Sequence, residues 1–215
     1  MTTPHPSFAS QERAALSALL LETGPDAPTN CTGWTTADLA AHLVTRERRP
    51  DASPGIMIPA FAGWTERVRL RARDSHPYPE LVALFRDGPP TLSLWTIPGV
   101  DSMFNLSEFF IHHEDVRRAQ PGWTARELPE GVERALWKQA TAAAKFGLRK
   151  TPFGVRLATP DGLVAQVRAG DPMVTLTGQP SELTLYCSGR QSVAVVEAIG
   201  DPAAVSALAA ASLGV

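Results

Sequence analysis

The sequence predicts an α+β protein, with a bundle of helices over residues 1–150 and a small α+β domain over residues 151–215. Three observations carry that reading. As far as Lys150, apolar residues recur at helical spacing between recognisable start and stop signals. After Thr151 the apolar runs become short and alternate with polar residues, as strands do. With 215 residues, 44% hydrophobic and 20% charged, the chain can bury the core of one large domain, or of one medium domain and a small one.

The elements follow in order. Residues 8–22 are amphipathic and predict a first helix, with Ser10 as its cap and Gly24-Pro25 as its stop. The second helix has the clearest start in the chain. Thr35 is placed as N-cap and Asp38 three residues on, where its carboxylate can reach back to the first amides, and Trp34 and Leu39 occupy the positions of a hydrophobic staple. This helix should run to about Arg48 and end at Pro50, with Leu39, His42, Leu43 and Arg46 on one face. A loop to Pro59 leads to helices near 60–73 and 79–87, an irregular stretch from Trp95 to Val100, and a long helix over 101–119 stopped by Pro121-Gly122. A further helix fits residues 129–150. Strands are predicted at 154–159 and 163–168, joined through Pro160-Asp161-Gly162, and at 173–177. A helix at 181–189, a strand at 193–197 and an Ala-rich helix from Pro202 complete the chain.

Composition narrows the function. A net charge of −2 argues against a nucleic-acid binder, which would carry a basic surplus. Arginines do cluster at Arg46, Arg48 and Arg49 and at Arg67, Arg69, Arg71 and Arg73, either as a solvated helix face or as an anion-attracting rim. The two cysteines, Cys31 and Cys187, form no Cys-x-x-Cys pair and read as free thiols. No run approaches the roughly 18 apolar residues of a membrane span, and the N-terminus has no signal-peptide pattern, so the expected location is the cytoplasm.

Chemistry concentrates in the run from Ser107 to Asp115. Glu108 and His112 are four apart, so on a helix they lie about 40° from each other, one turn along the same face. That pair could share a divalent cation or form an exposed ion pair. Phe104, Ile111, Asp115 and Ala119 fall on the same stripe, so an inward stripe would bury acids and an imidazole that need compensation. Asp115 is placed to accept from a ligating imidazole. His42, on the second helix, could be a third ligand or a satisfied core histidine. His113 falls on the other side of its helix, beside Phe109 and Val116, and reads as a non-ligand. His5 and His76 sit in Pro-rich surroundings with no ligand spacing. Cys31, just ahead of a helix N-terminus, is either a nucleophile or a small apolar turn residue with no identifiable base.

Two blocks together, Cys31-Thr-Gly-Trp-Thr-Thr-Ala-Asp-Leu-Ala-Ala-His42-Leu and Glu108-Phe-Phe-Ile-His112-x-x-Asp115, resemble the mycothiol-dependent maleylpyruvate isomerase family, within the wider DinB/YfiT-like metal-binding group. The continuation to Trp123 resembles a metal-binding branch of it, and the C-terminal segment with Ser188-Gly189-Arg190 resembles that family's small sterol-carrier-like α+β domain. The resemblance implies a DinB-like four-helix bundle with His42, Glu108 and His112 as ligands of a zinc-type metal, Asp115 supporting an imidazole, and a water in the fourth position. It also implies mycothiol as thiol co-substrate, attacking a conjugated double bond in an isomerase or an electrophile in a transferase. Arg46, one turn beyond His42, and Arg190 either meet a substrate carboxylate or hold a structural salt bridge. The expected function is therefore a metal- and thiol-dependent enzyme acting on a small electrophilic acid. Two other readings are a metal-binding sensor without turnover and a small-ligand carrier acting through residues 151–215.

Overall fold

The computed structural model describes residues 7–52, 55, 58–90 and 100–213, with backbone alone for 59 and 100–104. His5, the irregular stretch at 95–99 and the Phe104 side chain lie outside the described residues. The chain forms two compact units, residues 1–124 and 125–215.

The first unit is a helical bundle of α1 (Phe8–Thr23), α2 (Thr36–Arg48), α3 (Pro59–Ser75), α4 (Tyr78–Arg86) and α5 (Val100–Arg117). The cap of α1 is Ser7, not Ser10: the Ser10 amide donates to the Ser7 hydroxyl at 3.1 Å. Gly24, at φ 79°, stops this helix with a backbone conformation that L side chains rarely adopt. The α2 start matches its sequence signature, with a complete capping box between Thr35 and Asp38 that is worth about 1 kcal/mol.

Helix α1 packs along α4 and α5, and α2 packs along α3 and α4. Leu16, Leu20, Leu39, Leu43, Leu81, Phe85, Phe109 and Phe110 are each at most 1% exposed. Each such side chain gains roughly 1.5–3 kcal/mol on leaving water, against the entropy of ordering the chain. Arg13 ties this interior together. Its guanidinium lies 4.5 Å from the Phe109 ring centroid and 4.9 Å from that of Phe85, and it donates to the Phe85 carbonyl at 2.6 Å and to Glu47 Oε2 at 2.7 Å. Helices α1, α2 and α4 are thereby tied to one another beside α5.

The second unit is α+β: α6 (Glu130–Gly147), β1 (Gly154–Ala158), β2 (Val164–Arg168), β3 (Met173–Thr177), α7 (Pro180–Cys187), β4 (Glu197–Ile199) and α8 (Pro202–Ala209). The four strands form an open sheet in the order β2-β1-β3-β4, with β1 and β3 parallel and both outer pairs antiparallel. Val155, Leu157, Val174 and Leu176 point into a core shared with Ala140, Ala144, Leu183 and Leu208, while Arg156 faces out. Helix α6 packs within this unit, mainly on α7. The predicted strand at 193–197 is corrected to Glu197–Ile199. The amides of Val193 and Ala194 bond back to the Arg190 carbonyl in a turn, and only residues 197–199 reach the register of β3.

Candidate metal centre

The site is built by α2, α5 and the loop between α1 and α2. That loop is anchored at both ends. The Asn30 amide donates to the Asp115 carbonyl at 2.9 Å, the Trp34 amide to the Cys31 carbonyl at 2.9 Å, and the Thr29 hydroxyl to the Trp34 carbonyl at 2.9 Å. Trp34 then lies with its ring centroid 5.1 Å from that of His42. Behind the cap, Asp38 accepts from Arg69 at 2.6 Å and from Arg73 at 2.8 Å, and the Arg69 guanidinium lies 4.8 Å from the Trp34 ring centroid. The arginines of α3 that sequence left as a solvated face or a rim therefore include two that lock the start of α2.

Glu108 Oε1 stands at the centre of the site. His42 Nε2 lies 3.3 Å from it, His112 Nε2 3.4 Å and Arg46 Nε 3.4 Å. The two imidazole rings meet edge to face, with centroids 5.2 Å apart. The donor atoms of His42, Glu108 and His112 all lie within 4.8 Å of one another. The other nitrogen of His112, Nδ1, is 2.9 Å from Asp115 Oδ2, which orients the ring with Nε2 turned toward Glu108. Asp115 is fully buried.

The electrostatics follow from burial and from these contacts. Burial drives the His42 pKa below its ordinary value, and the neighbouring charges of His112 and Arg46 act in the same direction, so His42 offers a neutral nitrogen. For Glu108, burial opposes ionisation, but contacts with His112 and His42 and the charge of Arg46 hold the carboxyl well below its usual range. For His112, burial again opposes the charge, and Asp115, Cys31 and Glu108 together push its pKa well above the ordinary value.

The structure therefore brings together His42, Glu108 and His112, with Asp115 behind His112 and Arg46 beside Glu108. Arg190 belongs to the second unit, where its guanidinium donates to the Ser188 carbonyl at 2.6 Å. His113 turns away, 2.7 Å from Glu12 on α1. One neighbour of the site, Asn105, escaped the sequence, and for Cys31, read there as a nucleophile or a turn residue, the partners did. Asn105 is fully buried and accepts from Arg46 at 2.6 Å; it lies three residues before Glu108, on the same side of α5, which was the one available signal. The Cys31 thiol lies 3.1 Å from Asp115 Oδ2 and 3.8 Å from His112 Nδ1, a pairing across the fold with no local signature.

Two nitrogens and a carboxylate oxygen are a set that zinc takes in sites with a vacant fourth position. Around a tetrahedral zinc with bonds of about 2.0–2.2 Å, neighbouring donors stand about 3.3–3.6 Å apart. The 3.3 and 3.4 Å separations at Glu108 Oε1 match that edge, so the residues present fit such an ion. Among the described residues no fourth His, Cys, Asp or Glu joins this group.

A helical bundle carrying such a donor set defines a candidate metal-binding protein. The family profile for the mycothiol maleylpyruvate isomerase N-terminal domain matches residues 9–117, half of the chain. The chain belongs to the mycothiol-dependent maleylpyruvate isomerase family. Its fold is similar to the crystal structure of the mycothiol-dependent maleylpyruvate isomerase, with a TM-score of 0.56 and 18% identity over 89% of this chain and 90% of that one. It is also similar to a histidine-to-alanine mutant of that enzyme, with a TM-score of 0.59 and 16% identity over the same shares. No curated protein sequence matches the chain.

Proposed function

We propose that this protein is a metal-dependent enzyme that uses a low-molecular-weight thiol, mycothiol in its family, to isomerise or to thiolate a small electrophilic acid. The observation that carries this is the imidazole–carboxylate–imidazole set, with both imidazole nitrogens 3.3–3.4 Å from Glu108 Oε1 and no fourth donor among the described residues. His42, Glu108 and His112 would hold the ion, with zinc the best match to their chemistry. Such an ion, when bound, lowers the pKa of a coordinated thiol so that it is a thiolate at neutral pH.

The chain's own residues do the rest. Asp115 holds the His112 ring by its Nδ1 and keeps Nε2 facing inward. Trp34 packs against the His42 ring and limits its rotation. Arg46 places a buried guanidinium 3.4 Å from Glu108, a fixed positive charge toward which the carboxylate of an acidic substrate is drawn, and Asn105 fixes its direction. A conjugated acid held by its carboxylate would present its double bond to the thiolate in one orientation. No helix among the described residues is long and apolar enough to cross a membrane.

The test is metal analysis of the purified full chain and of His42→Ala, followed by isomerisation and thiol-transfer assays with maleylpyruvate-like acids and a panel of electrophiles. Expected are close to one metal per chain, a sharp loss in the variant, and turnover that needs both metal and thiol. Unchanged metal content in His42→Ala would reject the ligand set, and full turnover after metal removal would reject the mechanism.

A further inference from the structure

Asp115 lies in the last turns of α5 with no exposure to solvent, so its carboxylate needs donors from within the protein. Two approach the same oxygen, Oδ2: His112 Nδ1 at 2.9 Å and the Cys31 thiol at 3.1 Å. A thiol can donate only one hydrogen, and a carboxylate can only accept, so the direction of the sulfur contact is fixed as S–H to oxygen. Cys31 is placed by its own backbone. Its amide donates to the Thr29 hydroxyl at 3.2 Å, its carbonyl accepts from the Trp34 amide at 2.9 Å, and the preceding amide, Asn30, donates to the carbonyl of Asp115 itself at 2.9 Å. One short loop thus grips Asp115 through both main chain and side chain. The same loop ends in Trp34, which packs on His42. It reaches one imidazole directly and the other through Asp115.

We infer that Cys31 is a positioning residue of the metal centre: its thiol holds the Asp115 carboxylate, and through it the His112 ring, with Nε2 presented toward Glu108. This deepens the proposed function and rests on it. The sulfur sits beside Nδ1, 3.8 Å away, on the side of the ring that faces away from Glu108, so Cys31 acts through Asp115 and not as a ligand of the same ion. Groups that hold a ligating histidine in this way typically change metal affinity by about 10- to 100-fold when removed. A thiol is a weak donor and shares Asp115 with the imidazole, which puts its removal at about 10-fold, the low end of that range.

The experiment measures zinc affinity of the full chain by competition with a chelator, for wild type, Cys31→Ala, Cys31→Ser, Asp115→Asn and the Cys31→Ala/Asp115→Asn double variant. Cys31→Ala should bind zinc about 10-fold more weakly, while Cys31→Ser, whose hydroxyl restores a donor, stays within about threefold of wild type. In the Asp115→Asn background, Cys31→Ala should cost nothing further, because the group it acts through has changed. A residue that merely fills space would show neither the rescue by serine nor the coupling. Wild-type affinity in Cys31→Ala, or an equal loss in the alanine and serine variants, overturns the inference. If Cys31→Ala does not fold, an affinity loss in Cys31→Ser as large as in Asp115→Asn overturns it as well. His42→Ala separates the two levels. If that variant keeps its zinc, the ligand set fails and this inference falls with it; if it loses zinc while Cys31→Ala does not, the role of Cys31 alone is wrong.

Discussion

Asp38 links the start of α2 to the site, and its removal should carry a definite pH signature. Its carboxylate accepts from Arg69 at 2.6 Å, Arg73 at 2.8 Å and the Thr35 amide at 3.1 Å. Burial by itself would raise its pKa, but these partners win and lower it from 3.8 to about 2. The folded pKa is therefore below the unfolded value of about 3.9, so the stabilisation is fully present above that value and is lost as pH falls toward the folded one. At about 1.4 kcal/mol per tenfold, the lowering from 3.8 to about 2 is worth about 2 kcal/mol at neutral pH. That is an upper figure, because Arg73 is 36% exposed and its contribution is screened by water.

The perturbation is Asp38→Asn, and the assay is urea unfolding of both proteins between pH 7 and pH 3. At pH 7 the variant should be less stable by about 2 kcal/mol, plus a pH-independent cost for leaving the guanidinium of Arg69 with Glu66 as its remaining carboxylate partner. Titration between the two pKa values removes about 1 kcal/mol of the gap by pH 3. A gap that is equal at pH 7 and pH 3, or wider at pH 3, would refute the assignment of Asp38 as an ionised anchor for Arg69 and Arg73.

Three other outcomes are expected. Zinc added to metal-free protein should raise its stability by about 2.7 kcal/mol at 100 times the dissociation constant, seen as a higher melting temperature, and His112→Ala should abolish that rise. Arg46→Ala should raise KM for a carboxylate-bearing substrate at least about tenfold and leave KM for the corresponding neutral ester nearly unchanged, in steady-state assays of the two. In native protein a thiol-alkylating reagent should label half-buried Cys31, while Cys187, 3% exposed and pushed up to about 12 by burial, reacts only after unfolding; mass spectrometry of the digested protein reads both sites.

What the sequence could disclose depended on distance along the chain. The α2 start was legible because the Thr35–Asp38 box closes within one turn, and the Glu108–His112 pair because four residues define a helix face. Asp115 was legible for the same reason, three residues beyond His112. Cys31 was not, since nothing near it in sequence hints at a carboxylate 84 residues away. The role of Asn105 depends on Arg46, 59 residues away on another helix, although its place on the α5 face could be counted. Local propensity also misled where it had no competitor in view. Val193, Ala194, Val195 and Val196 read as a strand, but β4 begins at Glu197 because pairing with β3, not β-branching, decides which residues extend. Periodicity likewise cannot say which neighbour a helix chooses; the apolar stripe of α6 is plain in sequence, but its packing on α7 is a tertiary fact.

The two nitrogens of His112 supply an internal control for the metal reading. Nδ1 meets Asp115 at 2.9 Å, the ordinary length of a charge-assisted hydrogen bond. Nε2 of the same ring faces a second carboxylate, Glu108, but stands back at 3.4 Å, and His42 Nε2 stands back from the same oxygen at 3.3 Å. Electrostatic attraction in a buried site would favour closing that gap. A site selected as a salt bridge would be expected to settle at the shorter distance, as Asp115 does. A site selected to surround an ion keeps its donors about one tetrahedral edge apart and uses surrounding contacts to hold them there. The Asn30 amide on Asp115, the Trp34 ring on His42 and the Arg46–Asn105 bond beside Glu108 are that kind of restraint, each acting on a different donor. On this reading, weakening any one support should lower metal affinity before it disturbs the fold.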